Sequence, residues 1–294
     1  MEGVKRNSVR AWLLAARPKT LSAALIPVFA GTALAYAKGT ADWGAALLCV
    51  VFAALMQIAA NFINDLYDFL KGTDRSDRLG PERACAQGWI SPRAMRWGIV
   101  ALLAAACCAG LFLLPYGGWG LVALGAVCVV FAFLYTTLLS YCGLGDILVW
   151  VFFGFVPVLG TFYVQGRQLC PEVWWLAAGC GLVIDTLLVV NNYRDRDTDR
   201  RVGKRTLVAV FGEPFGRYFY FLQGIAGYVC VAALAAYGYM WVAIFPLFYL
   251  LPHYLTWRKM VQIGCGRGLN RVLGYTSRNM LTFGLLVVLA LCME

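Results

Sequence analysis

Nine apolar runs dominate this chain, at residues 21–37, 43–64, 95–114, 118–139, 146–165, 172–193, 217–236, 239–256 and 275–292. Each is close to the about 20 residues that carry a helix across a hydrocarbon core. Inside a bilayer each backbone polar group must find its partner within the protein, and a helix does this segment by segment. The sequence therefore predicts an all-α, polytopic membrane protein: a nine-transmembrane-helix bundle forming a single integral-membrane domain over 1–294.

Composition agrees, with 61% hydrophobic and 14% charged residues against roughly 45–50% and 25% in soluble domains. Nine spans divide the loops between two faces, and all but Lys38 and Arg167 of the 25 Lys and Arg residues fall on or at the edge of one face. By the positive-inside rule that face is cytoplasmic. The N-terminus is thus expected in the cytoplasm and the C-terminus outside. Ala35-Tyr36-Ala37 imitates a signal-peptidase site, but the charge alternation requires the first span to be kept. The net charge of +10 is interleaved with acids in short loops, which suits lipid headgroups or a phosphorylated ligand and excludes a nucleic-acid surface. The 11 cysteines form no CxxC pair and read as small apolar fillers.

Two acidic stretches break the apolar pattern where the second and sixth spans reach the cytoplasmic side. In the first, Asn61, Asn64, Asp65 and Asp68 fall at i, i+3, i+4 and i+7, with Asp74 and Asp77 beyond Lys71; in the second, Asn191, Asp195 and Asp199 recur every four residues. Both spacings put oxygens on one helical face. Nine of the 15 acidic residues lie in these two regions, too concentrated for ordinary solvated helix ends. Mg²⁺ is held by one or two carboxylates together with phosphate oxygens. Two facing acidic helices flanked by Lys71, Arg75, Arg78, Arg83, Lys204 and Arg205 therefore suit a metal-bound diphosphate. With an apolar bundle beside them, they suit a lipid diphosphate whose tail enters the membrane. Metal ions and cationic side chains would stabilise a departing diphosphate, and aromatic faces an allylic cation. Tyr135, Tyr67 and Tyr193 are the aromatic candidates, each also able to serve as an interfacial anchor.

With these motifs in view, the chain closely resembles the UbiA superfamily of intramembrane aromatic prenyltransferases, marked by two aspartate-rich motifs on helices two and six. Arg17-Pro-Lys-Thr-Leu21, Asn64-Asp-Leu-Tyr-Asp68 with Lys71-Gly-Thr-Asp74, Arg78-Leu-Gly-Pro81, Gly143-Leu-Gly-Asp146, and Asn191-Asn-Tyr-Arg-Asp195 with Asp199 and Gly203-Lys-Arg-Thr-Leu207 are most similar to the branch that prenylates 1,4-dihydroxy-2-naphthoate in menaquinone synthesis. The resemblance implies that Asp65, Asp68, Asp195 and Asp199 hold Mg²⁺ on a polyprenyl diphosphate, supported by Asn61, Asn64 and Asn192. By their own chemistry Tyr135 is the candidate for the catalytic step and Lys71, Arg78, Arg83, Arg194 and Lys204 are candidates for binding the substrate, in the inner membrane of a cell. Attack by the naphthoate ring, with loss of CO₂, would give demethylmenaquinone. In the broader superfamily a third acid stands four residues after Asp68, where this chain has Gly72, and Asp74 follows two residues later.

Asp185, in mid-span, suits ligand positioning or a helix contact, and Asp146 suits helix capping or catalysis. His253, the only histidine, suits packing. Arg17 and Lys19 suit the membrane boundary or the naphthoate carboxylate. Two rivals stand beside the main reading: the same chemistry on another acceptor such as 4-hydroxybenzoate, and a transporter. A transport site is expected near midplane, whereas these acids sit at the inner edge.

Overall fold

Each apolar run becomes helix, and proline decides where the helices break. The computed structural model describes residues 4–72 and 79–294, and every regular element among them is helical. In chain order these are α1 (Val9–Ala16), α2 (Leu21–Ala37), α3 (Trp43–Leu70), α4 (Pro92–Phe112), α5 (Leu114–Gly117), α6 (Gly120–Thr137) and α7 (Gly145–Trp150), followed by α8 (Val156–Gly166), α9 (Pro171–Arg201), α10 (Leu207–Phe211), α11 (Glu213–Ala232), α12 (Trp241–Ile244), α13 (Leu250–Ile263) and α14 (Leu269–Cys292).

Among the described residues, eight helical stretches are long and apolar enough to cross a membrane. The eighth expected span, 239–256, departs from this: it is split into α12, a 3₁₀ turn at Phe245–Tyr249, and α13. Pro246 opens that turn, and a proline there removes a donor and crowds the preceding carbonyl. All three pieces pack on both α11 and α14, so the split segment runs beside them as the ninth member of the bundle. Pro18 acts similarly on the N-terminal side. The residue before a proline avoids the right-handed helical region, and Arg17 takes φ 50, turning the chain between α1 and α2.

The helix α9 is the axis of the bundle, packing on α2, α7, α8, α10, α11 and α14. Lipid supplies no hydrophobic drive between helices, so close approach over small residues carries the association. A Cβ on Gly154 would lie 2.6 Å from the Ala177 carbonyl oxygen and 2.7 Å from Gly181 Cα. On another face of α9, a Cβ on Gly179 would lie 2.7 Å from the Gly227 carbonyl oxygen of α11. Gly154 belongs to a π-helical turn, Val151–Phe155, between α7 and α8. Pro157 follows one residue later; lacking an N–H, it leaves the Phe153 carbonyl without its usual partner, which accounts for the widened turn.

His253 has the packing role expected of it. Its Nε2 lies 3.1 Å from the Phe221 carbonyl, which can only accept, so the ring proton sits there and Nδ1 accepts from the Tyr249 hydroxyl at 3.0 Å. Asp185 likewise forms a contact between helices, accepting from Gln223 of α11.

Gly154→Ala should lower the melting temperature of the detergent-solubilised protein by an amount equivalent to roughly 1–3 kcal/mol. Gly120→Ala, whose added Cβ meets open space, should leave it unchanged. Thermal-shift measurement with size exclusion compares the two.

Candidate functional site

Asn61–Asp68 and Asn191–Asp199 lie within helices, because α3 and α9 continue about two turns past their apolar runs. On α3, Asn61 donates to the Ala16 carbonyl and to Thr20, both at 2.9 Å, tying down the corner that carries Arg17. Asn64 accepts from the Thr136 hydroxyl of α6. Asp65 is 1% exposed, and its two oxygens accept the backbone N–H groups of Ala84 at 2.9 Å and Cys85 at 2.8 Å. One turn later, Asp68 is ion-paired with Arg83, whose side chain is buried, at 2.5 Å.

The helix α9 presents a matching set. Arg194 grips both oxygens of Asp195, at 2.8 and 2.6 Å, and its remaining arm donates to Asn270 Oδ1 at 2.8 Å. Asn270, on α14, donates in turn to the Leu79 carbonyl at 2.8 Å. A continuous polar bridge therefore joins the second motif to the segment that follows the first. Asp199 is buried; one oxygen lies 3.8 Å from Lys204 Nζ and the other has no hydrogen-bond partner. Its carboxylate interacts electrostatically with both Asp195 and Asp68, so the two acidic helix ends lie within electrostatic reach of each other.

Asn61, Asn64, Asn191 and Asn270 border one cavity of about 1020 Å³. That is at the upper end of the roughly 300–1,000 Å³ typical of ligand sites. Its lining is mainly apolar and reaches Val28, Cys49 and Val164, far along the bundle from the motifs. Tyr135 lines it at the polar end, with Asp68, Asp146, Asp185 and Asp199 all within electrostatic reach.

The model of the UbiA prenyltransferase family matches residues 24–264. The chain belongs to that family. It is 37% identical over 235 residues to a 1,4-dihydroxy-2-naphthoate octaprenyltransferase of Escherichia coli, covering 77% of this chain and 76% of the relative. To the Mycobacterium tuberculosis protein of the same name it is 36% identical over 286 residues, covering 95% and 96%. Among solved structures, a UbiA homologue from Archaeoglobus fulgidus bound to DMAPP and Mg²⁺ shares the fold with a TM-score of 0.65 and 13% identity, covering 94% of this chain and 98% of that one.

Within this UbiA-family site the expected residues divide. Asp68, Asp195, Asp199, Arg83, Arg194 and Lys204 gather where the two motifs approach each other, and Tyr135 faces the cavity. Asn192 lies beside Tyr135 and Lys204 in a small adjoining hollow. Three of the expected residues also make contacts that hold the site together. Asp65 gives both carboxylate oxygens to the 84–85 turn, which makes it the anchor of the segment carrying Arg83. Lys71 donates to the Thr136 and Thr137 carbonyls at 3.3 and 2.6 Å, a favourable place for a cation at the end of α6. Asn61 holds the α1–α2 corner. Tyr67 packs against Phe133, and Tyr193 is buried with its hydroxyl on Glu213, so neither aromatic face lines the cavity. Arg78, with Asp74, Arg75 and Asp77, lies outside the described residues.

Mg²⁺ suits the acids that remain. They offer hard oxygen donors, one of them buried without a hydrogen bond. Among the described residues no group of three metal-binding side chains converges, so an ion held here would need water and phosphate to complete its octahedron. Asn270 and Thr136 were missed by sequence reasoning. Neither stands in an acidic motif, and only the return of α14 and α6 to the site brings them there.

Asp65→Asn would set an amide NH₂ against a backbone N–H. The expected result is a stability loss of about 1–3 kcal/mol and faster proteolysis within residues 79–90, read by limited digestion and mass spectrometry.

Proposed function

We propose that this protein transfers a polyprenyl group from polyprenyl diphosphate to 1,4-dihydroxy-2-naphthoate, with loss of the acceptor's carboxylate as CO₂ and formation of demethylmenaquinone. The observation that carries this reading is the approach of two acidic helix ends to one another at the mouth of one long apolar cavity. The polar end suits a diphosphate and the apolar length suits its tail. Relatives of the same name, one matched over nearly the full length of both chains, support the choice of acceptor.

Asp68, Asp195 and Asp199 are the residues that would hold Mg²⁺, with Asp65 positioning Arg83 behind them. When bound, Mg²⁺ neutralises charge building on the diphosphate as the carbon–oxygen bond breaks. In the resting site Arg83 and Arg194 are held by Asp68 and Asp195. As the diphosphate arrives, both guanidinium groups exchange carboxylate for phosphate and release the acids, with Lys204 adding a third cation. Asn192 supports the same end of the site. Tyr135 offers its ring face to the allylic cation, which an aromatic surface attracts without attacking as water would. The apolar walls keep water from competing with the acceptor ring.

The whole chain acts as one catalytic domain in the inner membrane of a cell, with its N-terminus and acidic motifs on the cytoplasmic side and its C-terminus outside. The crowding of basic residues onto the motif face supports this orientation. Cysteine accessibility at the chain ends would test it.

Purified protein in nanodiscs, given Mg²⁺, a polyprenyl diphosphate and each candidate acceptor in turn, should yield with dihydroxynaphthoate a product one CO₂ lighter than the simple adduct. Chelation by EDTA should abolish turnover and added Mg²⁺ restore it. Asp195→Asn should reduce the rate at least about 100-fold, in line with loss of a group that stabilises transition-state charge. Exclusive use of 4-hydroxybenzoate would reassign the acceptor.

A further inference from the structure

Asp146 opens α7 and is 5% exposed, yet neither of its oxygens meets a hydrogen bond from another described residue. Only its own N–H and the Lys204 ammonium offset its charge, and a buried carboxylate so sparsely satisfied calls for a physical explanation. Its position is built rather than incidental. Gly143 takes φ +79, and a Cβ on it would lie 2.9 Å from the Arg205 carbonyl; Arg205 in turn donates its N–H to the Tyr141 carbonyl at 3.0 Å. A Cβ on Gly145 would lie 3.5 Å from Leu188 and 4.0 Å from the Tyr135 ring. The turn before α7 is thus clamped between the loop after α9 and the wall of the large cavity.

The Asp146 side chain faces a hollow of about 10 Å³ walled also by Tyr135, Leu188, Asn192, Lys204 and Thr206. Tyr135 and Leu188 line the large cavity as well, so the hollow is a side chamber of the reaction space. A volume near one probe sphere admits a single water-sized group. The surrounding charges narrow the choice. Asp146 repels a phosphate oxygen, and the Lys204 ammonium repels a metal ion. What remains is a neutral group that donates a hydrogen bond.

We propose that Asp146 is a catalytic residue that receives the hydroxyl of the acceptor ring and takes its proton during prenyl transfer. This rests on the prenyl transfer to dihydroxynaphthoate proposed above. As the ring carbon beside the hydroxyl uses its π pair to bond the prenyl carbon, the carbon–oxygen bond to diphosphate breaks and its pair leaves on that oxygen. The hydroxyl becomes a ketone and its proton passes to Asp146. When CO₂ leaves, its bonding pair restores the aromatic ring and the oxygen takes the proton back. Over the whole cycle no proton is gained or lost, so the chamber needs no path to water.

The test compares wild type with Asp146→Asn, which keeps the side chain's shape but cannot take a proton. With dihydroxynaphthoate the variant should turn over about 10²–10⁴-fold more slowly, while binding Mg²⁺ and prenyl diphosphate with a Kd within about twofold of wild type by titration calorimetry. Wild type should be slowed comparably by the acceptor's methyl ether at the hydroxyl beside the attacked carbon, and Asp146→Asn should lose nothing further on that ether. Near-normal turnover by Asp146→Asn, loss of donor binding together with turnover, or full use of the ether by wild type would each overturn the proposal. If wild type ignored dihydroxynaphthoate but prenylated another phenol, the assigned acceptor would fall, whereas a selective Asp146→Asn defect on that phenol would sustain the role of Asp146.

Discussion

Charged groups at the edge of an apolar bundle must find partners, and here the partners are one another. Asp68 is held by Arg83, Asp195 by Arg194, and Asp199 stands near Lys204, all at the place where α3 and α9 end. Every one of these pairs is made of groups suited to a metal-bound diphosphate. On the proposed reading, the resting site stores its ligand-binding groups in mutual ion pairs, which the ligand's negative charge would separate. Pairs of this kind also keep the site assembled without the ligand, because unpaired buried charge is strongly unfavourable.

The rest of the molecule keeps the two helix ends within reach. Gly154 against Gly181 and Gly179 against Gly227 let α7, α8 and α11 approach α9 at backbone contact, fixing the axis that carries the second motif. The first motif is fixed from the other side: Asn61 ties it to the α1–α2 corner, Asn64 to α6, and Asp65 to the 84–85 turn. Arg194, Asn270 and the Leu79 carbonyl close the ring between them. One long cavity then extends from this polar rim along α2, α3 and α6, where apolar side chains suit a hydrocarbon tail. The same packing isolates Asp146 in its side chamber behind Tyr135.

Much of this was legible in the sequence. Apolar length gave the spans, basic residues gave their alternation, and the three- and four-residue spacing of Asn and Asp gave two polar faces at the same membrane edge. Less legible was the work of each acid. Asp65 and Asp68 stand three residues apart and look equivalent, yet one accepts the backbone N–H groups of a distant turn and the other pairs with an arginine. Tyr67, Tyr135 and Tyr193 were similar as candidates, and only Tyr135 faces the cavity. Lys71, placed among phosphate-binding residues by its neighbours, donates to carbonyls at the end of α6.

The sequence by itself determined that this chain is a bundle of membrane-spanning helices and which two stretches bring acids to helix ends, because bilayer thickness and helical periodicity act on consecutive residues. Tertiary structure alone decided which carboxylates remain available, that Asn270 and Thr136 join the site, and that Asp146 is left so sparsely satisfied. Those outcomes depend on what lies opposite a side chain across a helix interface, and residues opposite one another in space are here separated by tens to nearly two hundred positions in the chain.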